Sequence, residues 1–142
     1  MHAQIKTYSD TEIIVLLRGH GINPTTQRVM IARQLFGRRN VHYSADDVFK
    51  LVNEGPQGVS KATVYNTLGL MAQKGVIREV IADPTKIFYD PNTAPHHHFY
   101  DVTRGELRDI ESDKVQVTGL PSLPKDAALE GVDVIVRLRR VK

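Results

Sequence analysis

Four short amphipathic segments, each opened by a capping residue and closed by glycine, precede a single β-hairpin in the first ninety residues. Few folds accept that order. Ser9 begins a capping box with Glu12, and Ile13, Ile14, Leu16 and Leu17 form an apolar stripe that Gly19 and Gly21 end. Asn23-Pro24 starts the second segment, asparagine as the cap and proline pre-set for the first helical position. Val29, Ile31, Ala32, Leu35 and Phe36 supply its buried side, and Gly37 stops it. Ser44 caps the third, Asp46 and Asp47 suit its positive N-terminal end, and Val48, Leu51 and Val52 face inward. After the turn Gly55-Pro56-Gln57-Gly58, Ser60 opens the fourth, where Val64, Leu68 and Met71 recur at helical spacing. Residues 76–81 and 86–89 then read as strands joined by Asp83-Pro84-Thr85. Short helices followed by a hairpin describe a winged helix-turn-helix, with the fourth helix in the major groove and the wing on the backbone.

The outer face of that fourth helix is unusual. Ala62, Asn66, Gly69 and Gln73 lie opposite the apolar stripe, with Tyr65 on the flank. A solvated helix face more often carries Glu and Lys, whereas a small, uncharged face suits close approach to another surface. Glycine at 69 weakens the helix, so something is expected to need the space.

Charge is unevenly placed. Residues 1–90 hold eleven Lys/Arg against eight Asp/Glu, a net of +3, while residues 91–142 hold eight of each. The whole basic excess therefore lies with the helices and hairpin, a mild pointer to a polyanion. The chain of 142 residues has no cysteine, which removes disulfides, thiolate zinc sites and cysteine catalysis. No apolar stretch approaches membrane-spanning length, and residues 1–6 do not read as a secretory signal, so a cytoplasmic protein without a membrane partner is expected.

Residues 91–95 form a linker by composition, dividing a DNA-binding part, 1–90, from a second part, 96–142. The second part opens on His96-His97-His98 at the head of an alternating run, Phe99-Tyr100-Asp101-Val102. On a strand His96 and His98 project together and His97 points away, giving a chelating pair for a transition metal or a haem iron. A solvated polar strand end is the plainer reading of the same residues. Strands near 97–102 and 106–110 follow, then a Pro/Gly-broken stretch over 118–125. A last strand has Val132, Val134, Val136 and Leu138 along one face. Three strands and little helix make a weak core for some fifty residues, and pairing with a second copy would cover it.

Ser60-Lys61-Ala62-Thr63-Val64-Tyr65-Asn66-Thr67-Leu68 followed by Gly75-Val76-Ile77 resembles the recognition helix of the ferric uptake regulator family. Thr26-Gln27-Arg28 and His42-Tyr43-Ser44-Ala45-Asp46-Asp47 match the same family in order and spacing. Within it, His96-His97-His98-Phe99 and the ending 132–138 look most like the iron response regulator branch, whose members are haem-linked repressors. The resemblance implies an α+β protein: a winged helix-turn-helix, then a small α/β dimerisation domain. It also implies a homodimeric, sequence-specific repressor responding to iron, not an enzyme.

The resemblance carries over a regulatory metal site of His42, Asp90, His96, His98 and Asp109, a sulfur-free set suited to Fe(II), Mn(II) or Zn(II). Some members use a glutamate one residue earlier than Asp90, where this chain has Tyr89. Taken alone, His42 also fits a helix-start residue, and Asp90 and Asp109 fit turn and strand-end carboxylates. The family's structural zinc, held by two cysteine pairs, is excluded, since the first pair corresponds to Asp101 and Arg104. Haem is implied at His96, His97 and His98. Tyr65 and Asn66 are expected on base edges, and Ser60, Lys61, Thr63 and Arg28 on phosphates or nearby bases. Asparagine favours adenine where the family often has arginine, so an A·T-rich operator is expected. Two rivals stand beside this reading. A metallohydrolase lacks an HExxH-type motif, and a metal- or haem-binding buffer would need the histidines but not the reading helix.

Overall fold

The computed structural model describes residues 7–38 and 41–141, so the residues read against a leader, 1–6, lie outside it. The chain divides between Ala94 and Pro95 into two compact units.

The N-terminal unit holds α1 (Asp10–Gly19), α2 (Thr26–Phe36), α3 (Ala45–Val52), α4 (Lys61–Gln73) and the antiparallel hairpin β1 (Arg78–Asp83) and β2 (Lys86–Asp90). Ser9 and Ser44 each complete a reciprocal capping box, with Glu12 and Asp47. The second helix starts later than the Asn23-Pro24 signal predicts. Thr25 is its cap, accepting the Arg28 N–H, while the Arg28 guanidinium donates to the Asn23 carbonyl at 3.0 Å. Gly37 ends α2 by closeness, since a Cβ there would stand 2.6 Å from the Arg33 carbonyl oxygen.

At the end of α4, Gly75 takes a left-handed φ of 79°. Its N–H donates to Ala72, and the Val76 N–H donates to Met71. This closing turn buries Val76 and Ile77, which therefore staple the helix end instead of opening β1 at residue 76. Ile13, Leu17, Ile31, Leu35, Val48, Val64, Leu68 and Met71 are wholly buried together in one core. Leu51 is only half-buried, and Thr67 is buried where the sequence pattern predicts apolar residues alone.

The C-terminal unit is a three-stranded sheet in the order β4-β3-β5. It comprises β3 (His97–Asp101), antiparallel β4 (Glu106–Ile110) and β5 (Ile135–Leu138), which runs parallel to β3. One 3-10 turn, Ser112–Lys114, follows β4, and residues 115–134 carry no regular element. The expected long final strand shrinks to four residues. Lying at the sheet edge, it shows no clean alternation: Ile135 and Val136 are both half-buried and Leu138 is exposed. Among the described residues no helix is long and apolar enough to cross a membrane.

Candidate metal centre and DNA-reading face

In the N-terminal unit an isolated antiparallel bridge joins Tyr43 to Tyr89, with the Tyr89 N–H donating to the Tyr43 carbonyl at 2.8 Å. Extending that register by one residue sets His42 opposite Asp90. The His42 Nε2 lies 3.3 Å from Asp90 Oδ2, and both side chains are buried. The other carboxylate oxygen, Oδ1, accepts the Asn92 N–H at 2.9 Å. Asp90, and not its neighbour Tyr89, thus supplies the acid facing His42. Burial, with Glu79 nearby, raises the Tyr89 pKa and keeps its phenol protonated.

In the C-terminal unit the alternation of β3, continued to the residue before it, sends His96 and His98 to one face. His98 pairs with Asp109 across the ladder, and His96 reaches the same carboxylate diagonally. Both Nε2 atoms stand 3.3 Å from Asp109 Oδ1, and the two rings are 4.5 Å apart at 61°. His98 is 1 % exposed. His97 leaves this group as the period-2 pattern predicts: its Nδ1 accepts the Val134 N–H at 3.1 Å.

These separations fit ligands better than direct ion pairs. Charge-assisted N–H···O contacts run about 2.7–2.9 Å. Donor atoms each about 2.0–2.2 Å from one ion, at tetrahedral or octahedral angles, stand roughly 3.0–3.5 Å apart. Every imidazole–carboxylate distance here falls in that second interval. The donors are nitrogen and oxygen throughout, and neutral imidazole with carboxylate is what borderline divalent cations take.

The outer face of α4 is exposed at Ala62, Tyr65, Asn66 and Gln73. Ser60 spends its side chain on the helix start, accepting the Thr63 N–H and donating to Thr63 Oγ1 at 2.9 Å. The Tyr65 hydroxyl donates to Asp46 Oδ1 on α3 at 2.5 Å. Lys61 Nζ stands 3.6 Å from that oxygen and 5.7 Å from the centre of the Tyr65 ring. In the sequence Asp46 reads only as an acid suited to a helix start; its second role, as a clamp on Tyr65, has no local signal. A Cβ on Gly69 would meet nothing within 4 Å, so no described part of this protein needs the space the glycine leaves.

Residues 19–129 match the ferric uptake regulator family. The chain belongs to that family. A curated relative, the peroxide-responsive repressor PerR of Staphylococcus aureus strain Mu50, is 30% identical over 100 residues, 70% of this chain and 67% of the relative. The fold is similar to the ferric uptake regulator from Pseudomonas aeruginosa with manganese, at TM-score 0.67 and 24% identity over 89% of this chain and 96% of the other. It is likewise similar to the Vibrio cholerae ferric uptake regulator, at TM-score 0.71 and 18% identity over 90% and 99%. Members of this family are transcription regulators and not enzymes, which removes the metallohydrolase reading. The α+β class and the winged-helix reading of the N-terminal unit stand.

Proposed function

We propose that this regulator is a homodimeric, iron-responsive repressor that reads its operator with α4 and couples DNA affinity to a divalent ion held by His42, Asp90, His96, His98 and Asp109. One observation carries the reading: each unit separately sets buried imidazole 3.3 Å from a carboxylate oxygen, at ligand spacing. The ion supplies a shared centre of charge for ligands of both units. Sharing it limits the angles the two reading helices of a dimer can take, which favours one spacing of half-sites. Fe(II), Mn(II) and Zn(II) all suit the donors, and the manganese-bound relative supports a divalent metal.

Tyr65 and Asn66 meet base edges in this reading, while Ser60, Lys61, Thr63 and Arg28 hold phosphates or nearby bases. Asn66 favours adenine, hence an A·T-rich operator. Selecting DNA from a random pool with the full chain and Mn(II) tests this. Asn66→Ala should lose the selected preference and keep Mn(II) affinity, whereas a metal buffer would select no sequence at all.

The histidine run supports placing the chain on the haem-linked iron response regulator branch. His96 and His98 would then be the haem-iron ligands, in competition with the divalent ion. His97 is the weaker candidate, because an Nδ1 that accepts the Val134 N–H leaves the proton on Nε2, where an iron would bind. Haem added to the protein–DNA complex with Mn(II) should release the DNA. Unchanged affinity would sink the haem branch and leave the metal reading standing.

A further inference from the structure

We propose that Asp46 fixes Tyr65 as a hydrogen-bond acceptor on the reading face, so that Tyr65 selects a base carrying a major-groove amino group, adenine or cytosine, over one carrying a carbonyl. The inference rests on the proposal that α4 reads DNA, and it concerns one contact within that reading. A phenol can donate one hydrogen bond and accept others. Here the donor is already committed, since the Tyr65 hydroxyl gives its proton to Asp46 Oδ1. Two lysines add positive charge beside the carboxylate. Lys61 Nζ lies 3.6 Å from the same oxygen, and Lys50 on the next turn of α3 adds a second positive charge nearby.

Bond and charges act together. Asp46 has a lowered pKa, chiefly through the Tyr65 bond, and Tyr65 has a raised one, chiefly through Asp46. The proton therefore stays on the phenol and the negative charge on the acid. What remains free on the Tyr65 oxygen is lone-pair density, and Tyr65 is 42% exposed on the outer face of α4. In the major groove, adenine N6 and cytosine N4 present amino donors, while guanine O6 and thymine O4 present acceptors. An oxygen whose proton is spent pairs with the first two and repels the second two.

Asp46 is thus a positioning residue, acting through Tyr65 and not on the base. It lies outside the Ser44–Asp47 capping box, so Asp46→Ala leaves the start of α3 capped. The test selects DNA from a random duplex pool with wild type, Tyr65→Phe and Asp46→Ala, all loaded with Mn(II). Melting curves taken alongside establish that each variant is folded. The expected result is one base-pair position at which wild type prefers adenine or cytosine on the contacted strand, on the order of tenfold. Tyr65→Phe flattens that position. Asp46→Ala frees the hydroxyl to donate and shifts the same position toward guanine or thymine.

Three results overturn the inference: a Tyr65-dependent position that prefers guanine or thymine in wild type, an Asp46→Ala profile identical to wild type, or a variant change spread evenly over all positions. If wild type selects no sequence, it is the DNA-binding reading that fails, which separates the two outcomes.

Discussion

The N-terminal unit closes around Ile13, Leu17, Ile31, Leu35, Val48, Leu68 and Met71, all wholly buried and apolar. In the C-terminal unit the buried described side chains are as often His96, His98 and Asp101 as Tyr100, Leu107 and Ile110. Burying apolar area stabilises a fold without conditions, whereas burying imidazole and carboxylate is costly unless partners satisfy them. The contrast agrees with the proposal, which puts three of its five metal ligands, His96, His98 and Asp109, in the C-terminal unit.

The two units should differ most in their cores. Leu35→Ala should cost about 2–5 kcal/mol in urea unfolding, because a fully buried side chain leaves a cavity among packed helices. Leu107→Ala in the thin sheet should cost less. A Leu107 cost equal to that of Leu35 would erase the contrast.

Metal should act where its proposed ligands lie, three of them in the C-terminal unit. Saturation with Mn(II) at about a hundredfold over its dissociation constant should stabilise by about 2.7 kcal/mol, an increment that chelation or His98→Ala removes. Hydrogen exchange should show the gain at β3 and β4 and leave α1 unchanged.

A smaller effect lies in the turn between those strands. Asp101 accepts the Arg104 N–H at 3.0 Å and the Arg140 Nε–H at 2.7 Å, tying the turn to the segment after β5. The backbone bond from Arg104, followed by the Arg140 guanidinium, lowers its pKa. A depressed folded-state pKa means the unfolded chain takes up the proton first. The stabilisation is therefore complete above the ordinary aspartate value of about 3.9 and is lost as pH falls through the lowered one. Acid unfolding below about pH 4 should be weaker in Asp101→Asn than in wild type, and unchanged slopes would remove Asp101 from the account.

Gly69→Ala should give the smallest change, a gain of roughly 0.5–1 kcal/mol in thermal unfolding, since nothing crowds the added methyl. If DNA affinity falls while stability rises, the space at Gly69 serves the DNA.

Local rules make much of this legible from residues alone. Ser9 with Glu12 and Ser44 with Asp47 announce their helix starts, and the period of a strand separates His97 from His96 and His98. Asn23 misleads because Thr25, two residues on, is also a capping residue and Pro24 tolerates both readings. The brevity of β5 is hidden because alternation in 132–138 does not reveal where a sheet edge stops pairing. Asp109 and Asp90 face their histidines through strand register, and Asp46 meets Tyr65 across two helices nineteen residues apart. Contacts of that kind are tertiary, and no spacing along the chain encodes them. Resemblance to the family, not periodicity, points to the two metal-site aspartates.

In this proposal a divalent ion held by ligands of both units governs DNA reading by α4. Affinity for a duplex selected from a random pool, measured across Mn(II) concentrations for wild type and His98→Ala, tests it most directly. Wild type should bind at least about tenfold more tightly with Mn(II) than with chelator, and His98→Ala should bind weakly and equally in both. Equal affinity of wild type with and without metal, or an undiminished Mn(II) response in His98→Ala, would contradict it.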